Sequence, residues 1–115
     1  MQNLQDRTKQ FALDVFKFCG TLPEGPEFRV IRYQLLKAAS SVGANYRAAC
    51  RAQSRRAFIA KLSIVEEEAD ESVFWFEMLE GLGFQENKTL QRLKHEADQL
   101  VAITVSSKKT ARRSK

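Results

Sequence analysis

The stretch SRRAFIAKLSIVEEEADESVFWFEMLEG, residues 54–81, contains no proline, and its only glycine is its last residue. Apolar and small residues recur along it at steps of three and four, the spacing of one face of an α-helix. These residues are Phe58, Leu62, Val65, Ala69, Ser72, Phe76 and Leu79. Ser54 is a residue type that caps helix N-termini. The stretch therefore predicts a helix that is capped by Ser54 and continues to about Gly81.

A second stripe lies beside the first on the same predicted helix. It consists of Ile64, Glu68, Glu71, Trp75, Met78 and Leu82. A helix in a bundle needs one apolar face, so the apolar surface of a second stripe is left over and favours a contact with another molecule. Acids mixed with large apolar residues suit a subunit boundary, where they can meet a neighbour's arginines. We predict that these six residues form an oligomer interface; the alternative is that Trp75 completes the core of a monomer.

Helical spacing continues on both sides of this stretch. The preceding helix is predicted at about Glu27–Arg51, and its small residues at the centre allow another helix to approach closely. Asn45 falls within its apolar stripe and needs a hydrogen-bond partner there. Further helices are predicted at Leu4–Cys19 and at about Glu86–Val105. Four helices joined by short loops predict an all-α fold, an antiparallel up-down-up-down four-helix bundle.

The length of 115 residues, 43% of them hydrophobic, is enough for one modest core and predicts one domain, residues 1–105. The last ten residues, SSKKTARRSK, contain five basic side chains and no acid. Such a segment buries too little apolar surface to offset the entropy of ordering, so we expect a disordered basic tail at residues 106–115. The tail either increases solubility or binds a polyanion.

The chain has no run of eighteen apolar residues, and its N-terminus is polar. A membrane span and a secretory signal are therefore not expected. The expected location is cytoplasmic, with no membrane partner.

The charges are divided along the chain. Residues 28–62 contain eight basic residues and no acid, whereas residues 66–86 contain eight acids and no base. In an up-down-up-down bundle the end of the second helix, the start of the third, the N-terminus and the tail meet at one end, where their basic residues gather. That basic pole is predicted to bind the phosphate backbone of RNA or DNA. The predicted binding residues are Arg47, Arg51, Arg55, Arg56, Lys108, Lys109, Arg112 and Arg113. The alternative is that these charges are spread over solvated faces.

Residue patterns typical of catalysis are missing from the sequence. The helix motif of zinc proteases needs a second histidine four residues after His95, and that position is Gln99. Cys19 and Cys50 form no CxxC pair, so neither a zinc site nor a disulfide framework is predicted. The glycine-rich loops that bind phosphate are also absent. We therefore expect no catalytic residues, no metal, no cofactor and no enzyme activity.

Residues 41–84, SVGANYRAACRAQSRRAFIAKLSIVEEEADESVFWFEMLEGLGF, resemble a known family. The resemblance is to the bacterial four-helix bundle proteins called intervening-sequence proteins of large-subunit ribosomal RNA, and it extends over about Leu4–Val105. It is carried by Ala44-Asn45-Tyr46-Arg47-Ala48, Ser54-Arg55, Phe58, Lys61-Leu62, Glu68-Ala69-Asp70-Glu71-Ser72 and Trp75. Some relatives have Gly-Ser in place of Glu67-Glu68, so this chain resembles one branch of the family.

The resemblance implies an up-down bundle that can assemble into a ring-like homopentamer. This is the arrangement of a relative, the accessory variability determinant of diversity-generating retroelements. That relative partners a reverse transcriptase and binds nucleic acid through a basic surface. For this chain the resemblance thus implies a reverse transcriptase as a candidate partner, and neighbouring genes would reveal one.

Two function hypotheses follow. The first is a non-enzymatic nucleic-acid-binding adaptor whose basic pole contacts the phosphate backbone. The second is a structural protein-interaction module, in which the charged faces serve self-association and partner docking.

Overall fold

The computed structural model describes residues 3–113. It contains helices α1 (Leu4–Cys19), α2 (Pro26–Cys50), α3 (Arg55–Leu79) and α4 (Lys88–Arg113). A single wider turn of π-helical geometry, Glu80–Phe84, extends α3. The described residues contain no strand, which confirms the all-α prediction.

Local capping explains where the helices begin. The side-chain oxygen of Ser54 accepts a hydrogen bond from the Ala57 backbone N–H at 3.0 Å, as predicted for α3. Asn3 caps α1 in the same way. Pro26 occupies the first turn of α2, where a missing N–H costs nothing. The helix starts are therefore determined by residues close by in the sequence.

The core is a single apolar cluster to which all four helices contribute. Its largest fully buried side chains include Phe11 of α1, Leu35 of α2, Phe76 of α3 and Leu93 of α4. Phe76 meets Phe18 edge to face, with ring centroids 6.1 Å apart. Each helix thus turns one stripe inward, and Leu22 and Phe84 of the connecting segments add to the same cluster.

Small residues bring α1 and α2 close together. A Cβ atom placed on Gly43 would lie 3.4 Å from the Thr8 carbonyl oxygen, because the α1 backbone passes directly over this glycine. At the other end of the pair, the Arg32 Nε–H donates to the Cys19 carbonyl oxygen at 3.2 Å. The predicted close helix approach therefore involves α1.

Ion pairs connect α4 to its neighbours. Lys94 pairs with Glu80 at 3.0 Å, and Lys108 pairs with Glu66 at 2.7 Å, so α4 follows α3 along most of its length. Arg7 makes a two-pronged contact with the Glu96 carboxylate at 2.6 and 2.8 Å, which joins α1 to α4.

The C-terminal segment corrects one prediction. The composition predicts disorder from residue 106, but α4 continues through Arg113. The reason is a contact with α3: the Lys108 ammonium group donates to Ser63 Oγ at 3.2 Å and pairs with Glu66, which leaves the Lys108 side chain 14% exposed. Residues 114 and 115 of the predicted tail lie outside the described residues.

Within residues 3–113, none of the helices has both the length and the apolar character that crossing a membrane requires.

Candidate nucleic-acid interface

The turn between α2 and α3 gathers four of the predicted binding residues. Arg47 lies in the last turn of α2, Arg51 is its C-cap, and Arg55 and Arg56 open α3. All four side chains are exposed. The turn is tight, with the Arg51 N–H donating to the Ala48 carbonyl oxygen at 3.1 Å. The structure therefore places these arginines at one end of the molecule.

The four arginines of this turn stand at helix ends of opposite polarity. Arg47 and Arg51 stand at the C-terminus of α2, where a cation is favourable. Arg55 and Arg56 stand at the N-terminus of α3, whose first turn contains no acid. A cation at this terminus opposes the helix dipole, so helix stability does not explain their presence. An anion bound here would meet both the arginines and the partial positive charge of the helix end.

None of the four arginines is neutralised by a carboxylate of the described chain. The ion pairs among residues 3–113 are Arg7–Glu96, Arg92–Asp14, Lys94–Glu80 and Lys108–Glu66. Each of them involves other basic residues. The cluster is therefore available for anions from outside the molecule.

The basic residues of α4 divide into two groups. Lys108, one of the predicted binding residues, is held against α3 by Glu66 and Ser63. Lys109, Arg112 and Arg113 are exposed. Because Lys108 is level with Ser63, the last turn of α4 points toward the start of α3. From here on, the basic pole is the set of exposed basic residues at this end, without Lys108. It consists of Arg47, Arg51, Arg55, Arg56, Lys109, Arg112 and Arg113.

A groove between α1 and α2 was not predicted as a site. We call it the α1–α2 groove; it encloses about 390 Å³ and is lined by Gln5, Asp6, Lys9, Ala12, Leu13, Phe16, Ser40, Gly43, Ala44 and Arg47. Leu13 and Phe16 form one wall and are 45% and 48% exposed. In the sequence, the spacing of three residues between Leu13 and Phe16, outside the core stripe of α1, could have indicated this groove.

The predicted interface stripe runs along α3 into the turn that follows it, and its Glu68 lies beside Lys37 and Ser41 of α2. Ile64, Glu68 and Trp75 are half-buried, whereas Glu71, Met78 and Leu82 are exposed. We call these six residues the α3 face. Trp75 packs against the core and also donates its Nε1–H to Glu71 at 3.3 Å. The packing of Trp75 agrees with the alternative that it completes the core of one chain, and the oligomer interface stays a prediction.

Polar groups line the seam between α2 and α3. Desolvation raises the pKa of Glu68, nearby Glu71 raises it further, and Lys37 and Ser41 oppose the shift. Asn45 donates to the Ser41 side-chain oxygen at 2.9 Å and to the Ser41 carbonyl oxygen at 3.0 Å. The partner expected for Asn45 is therefore on its own helix.

Residues 3–113 contain no group of three or more His, Cys, Asp or Glu side chains that could hold a metal ion. Both cysteines are free thiols; Cys19 is buried and Cys50 is exposed. Burial raises the pKa of the Cys19 thiol to about 11, against a smaller opposing effect of Arg32.

The two thiols should differ in reactivity. At pH 8 we expect an aromatic disulfide reagent to label one thiol per native chain, Cys50, because the Cys19 thiol is buried and protonated. Both should react after denaturation. A Cys50→Ser variant should show almost no native labelling, and rapid labelling of that variant would contradict the assignment.

Comparisons with known proteins give consistent results. The family model of the 23S rRNA-intervening sequence protein matches residues 2–106. A crystal structure from Bacteroides thetaiotaomicron VPI-5482, described as a protein of unknown function from the S23 ribosomal protein family, is similar with a TM-score of 0.84 and 28% identity. The match covers 93% of this chain and 99% of that chain. No curated protein matches.

Proposed function

From the premise that the chain belongs to the 23S rRNA-intervening sequence protein family, we propose that it is a non-enzymatic, cytoplasmic adaptor that binds nucleic acid through its basic pole. The observation that carries the proposal is the set of four exposed arginines at the α2–α3 turn, which have no carboxylate partner among residues 3–113. The name of the family supports RNA as the first ligand to test.

The chemistry of the pole favours the phosphate backbone over base readout. Arginine binds phosphate oxygens with two parallel hydrogen bonds. Tyr46 is half-buried, so the pole offers few aromatic surfaces on which bases could stack. Binding should therefore depend weakly on sequence and strongly on salt.

A salt titration tests this proposal. We expect single-stranded RNA to bind at 50 mM salt, with an affinity that falls roughly a hundredfold or more by 200 mM if five or more phosphates are contacted. Duplex DNA in a parallel experiment shows which polymer is preferred. The absence of binding to either polymer at 50 mM salt would refute the proposal.

The second candidate function is a protein-interaction module built on self-association. It is favoured by the α3 face, where Met78 and Leu82 are 43% and 46% exposed beside the half-buried Trp75. In this proposal the helices follow an antiparallel up-down-up-down order, and the chains assemble into a ring-like homopentamer. The pairing of Arg32 with Cys19 and of Lys108 with Ser63 supports that helix order.

Light scattering at micromolar concentration tests self-association. We expect a mass several times the 13.1 kDa of one chain, and close to five times for a pentamer. A 13.1 kDa species would contradict it. Because Trp75 packs against the core, the diagnostic substitutions belong at Met78 and Leu82, which a charge can occupy without unfolding the chain.

A reverse transcriptase partner is the most specific part of the proposal and rests on the family resemblance alone. A gene for such an enzyme next to the gene for this chain, together with template repeats, would support it. Co-purification that survives nuclease treatment would distinguish direct protein contact from tethering by nucleic acid.

A further inference from the structure

Two unlike surfaces that expose large apolar side chains flank α2, and Val30, Tyr33 and Phe74 are exposed as well. One is the α1–α2 groove, and the other is the α3 face, whose Glu68 lies beside Ser41 and Lys37 of α2. Both contain large apolar side chains exposed by more than two fifths: Leu13 and Phe16 in the groove, Met78 and Leu82 on the face. Such exposure in two separate places favours burial against another surface.

The shape of the groove suits side chains that enter from outside. Its floor on α2 is made of Ser40, Gly43 and Ala44, residues with little or no side chain. Leu13 and Phe16 rise beside this floor as an apolar wall. The resulting volume of about 390 Å³ can take several large side chains from a facing helix.

The charges around the two surfaces are opposite. Two bases, Lys9 and Arg47, and one acid, Asp6, line the groove, which leaves it with an excess of positive charge. The α3 face contains Glu68 and Glu71 and no base, and Glu67 and Glu77 are exposed on the same helix. Two grooves facing each other would bring together surfaces with an excess of base, which Asp6 offsets only in part, and two α3 faces would bring acids together. Only the pairing of groove with face is complementary.

We propose that the α1–α2 groove receives the α3 face of a second copy of this chain, with Met78 and Leu82 of that copy against Leu13 and Phe16. The proposal rests on the self-association described above and names its missing half, the surface that accepts the α3 face. A contact between unlike surfaces is heterologous, so each copy can be donor and acceptor at once. Repetition of this contact closes a ring when the rotation between copies allows it.

Paired variants test this arrangement. The groove variant carries Leu13→Glu and Ala44→Glu, and the face variant carries Met78→Glu and Leu82→Glu. All four positions are exposed in one chain, so the new charges do not enter the core. The control variant carries Gln99→Glu and Ala102→Glu, which add the same charge at exposed positions of α4.

Each variant should retain the helical circular dichroism of the wild type. In light scattering the control should assemble like the wild type, while the groove variant and the face variant should each be single chains of 13.1 kDa. An equimolar mixture of those two should form a species of about twice that mass. The intact face of one then fits the intact groove of the other, and each partner's defect stops further growth.

Other outcomes overturn the proposal in distinguishable ways. Assembly of the groove variant at wild-type mass shows that the groove is not the acceptor, although self-association itself stands. Single chains in the mixture exclude the groove-to-face pairing. A monomeric wild type refutes self-association together with this inference, and nucleic-acid binding, measured separately, is unaffected by that result. Dissociation of the control shows that added charge rather than position matters, which also counts against the groove.

Discussion

Replacement of Arg51, Arg55 and Arg56 by glutamine should weaken binding to single-stranded RNA by roughly a hundredfold at 50 mM salt. These residues are exposed and unpaired within residues 3–113, so their removal subtracts phosphate contacts without breaking an internal ion pair. The slope of log affinity against log salt should also become shallower by about 2, since each contact to a single strand contributes about 0.7. Fluorescence anisotropy over a salt series measures both quantities.

The opposite end of the molecule supplies a matched control. Lys17, Arg29 and Lys88 are also exposed, and their replacement by glutamine removes the same net charge. We expect at most a few-fold effect from this control. An equal loss in the two triple variants would show that overall charge, and not the basic pole, determines the affinity.

A third triple variant compares the two parts of the pole. Replacement of Lys109, Arg112 and Arg113 by glutamine leaves the Lys108 contacts with α3 intact, whereas truncation at residue 105 would remove them. We expect a smaller loss than for the arginines of the α2–α3 turn. A larger loss would make the end of α4 the main binding surface.

Phe76→Ala should be strongly destabilising, with a loss of about 3–5 kcal/mol in the free energy of unfolding. Phe76 is 0% exposed and contacts Phe18, so its truncation leaves a cavity in the core. Urea unfolding followed by circular dichroism measures the loss. Protein concentrations must be matched, because self-association would add to the apparent stability.

Phe74→Ala is the control for this substitution. Phe74 lies two residues away on the same helix and is 49% exposed, with an edge-to-face contact to Trp75. We expect it to cost about 1 kcal/mol or less. Equal effects of the two substitutions would contradict the position of the core.

The helix boundaries were largely predictable because they depend on neighbours in the sequence. The predicted first helix has the bounds of α1, and Ser54 caps α3 as expected. The end of α3 was less predictable. Gly81 does not stop the helix, and the chain instead passes through the turn Glu80–Phe84, in which Gly83 adopts a φ of 105°.

The candidate sites were predictable only where exposure follows from local pattern. The four arginines of the α2–α3 turn are such a case, since a turn between two helices is exposed in any bundle. The contact of Lys108 with α3 could not be predicted from composition, because its hydrogen-bond partner Ser63 lies 45 residues earlier in the chain. The α1–α2 groove was missed because Leu13 and Phe16 fall outside the core stripe of their own helix.

For the proposed binding of nucleic acid, the helical continuation of α4 through Arg113 has a consequence for the rate of association. A disordered basic arm extends the capture radius and folds as it binds, whereas a helix anchored by Lys108 loses little conformational freedom on contact. The encounter should then be governed by the electric field of the pole, with an association rate that falls steeply as ionic strength rises. If the basic pole binds nucleic acid as proposed, Arg112 and Arg113 would contact it at a fixed distance from the α2–α3 turn, and strands whose phosphates match that distance would bind best.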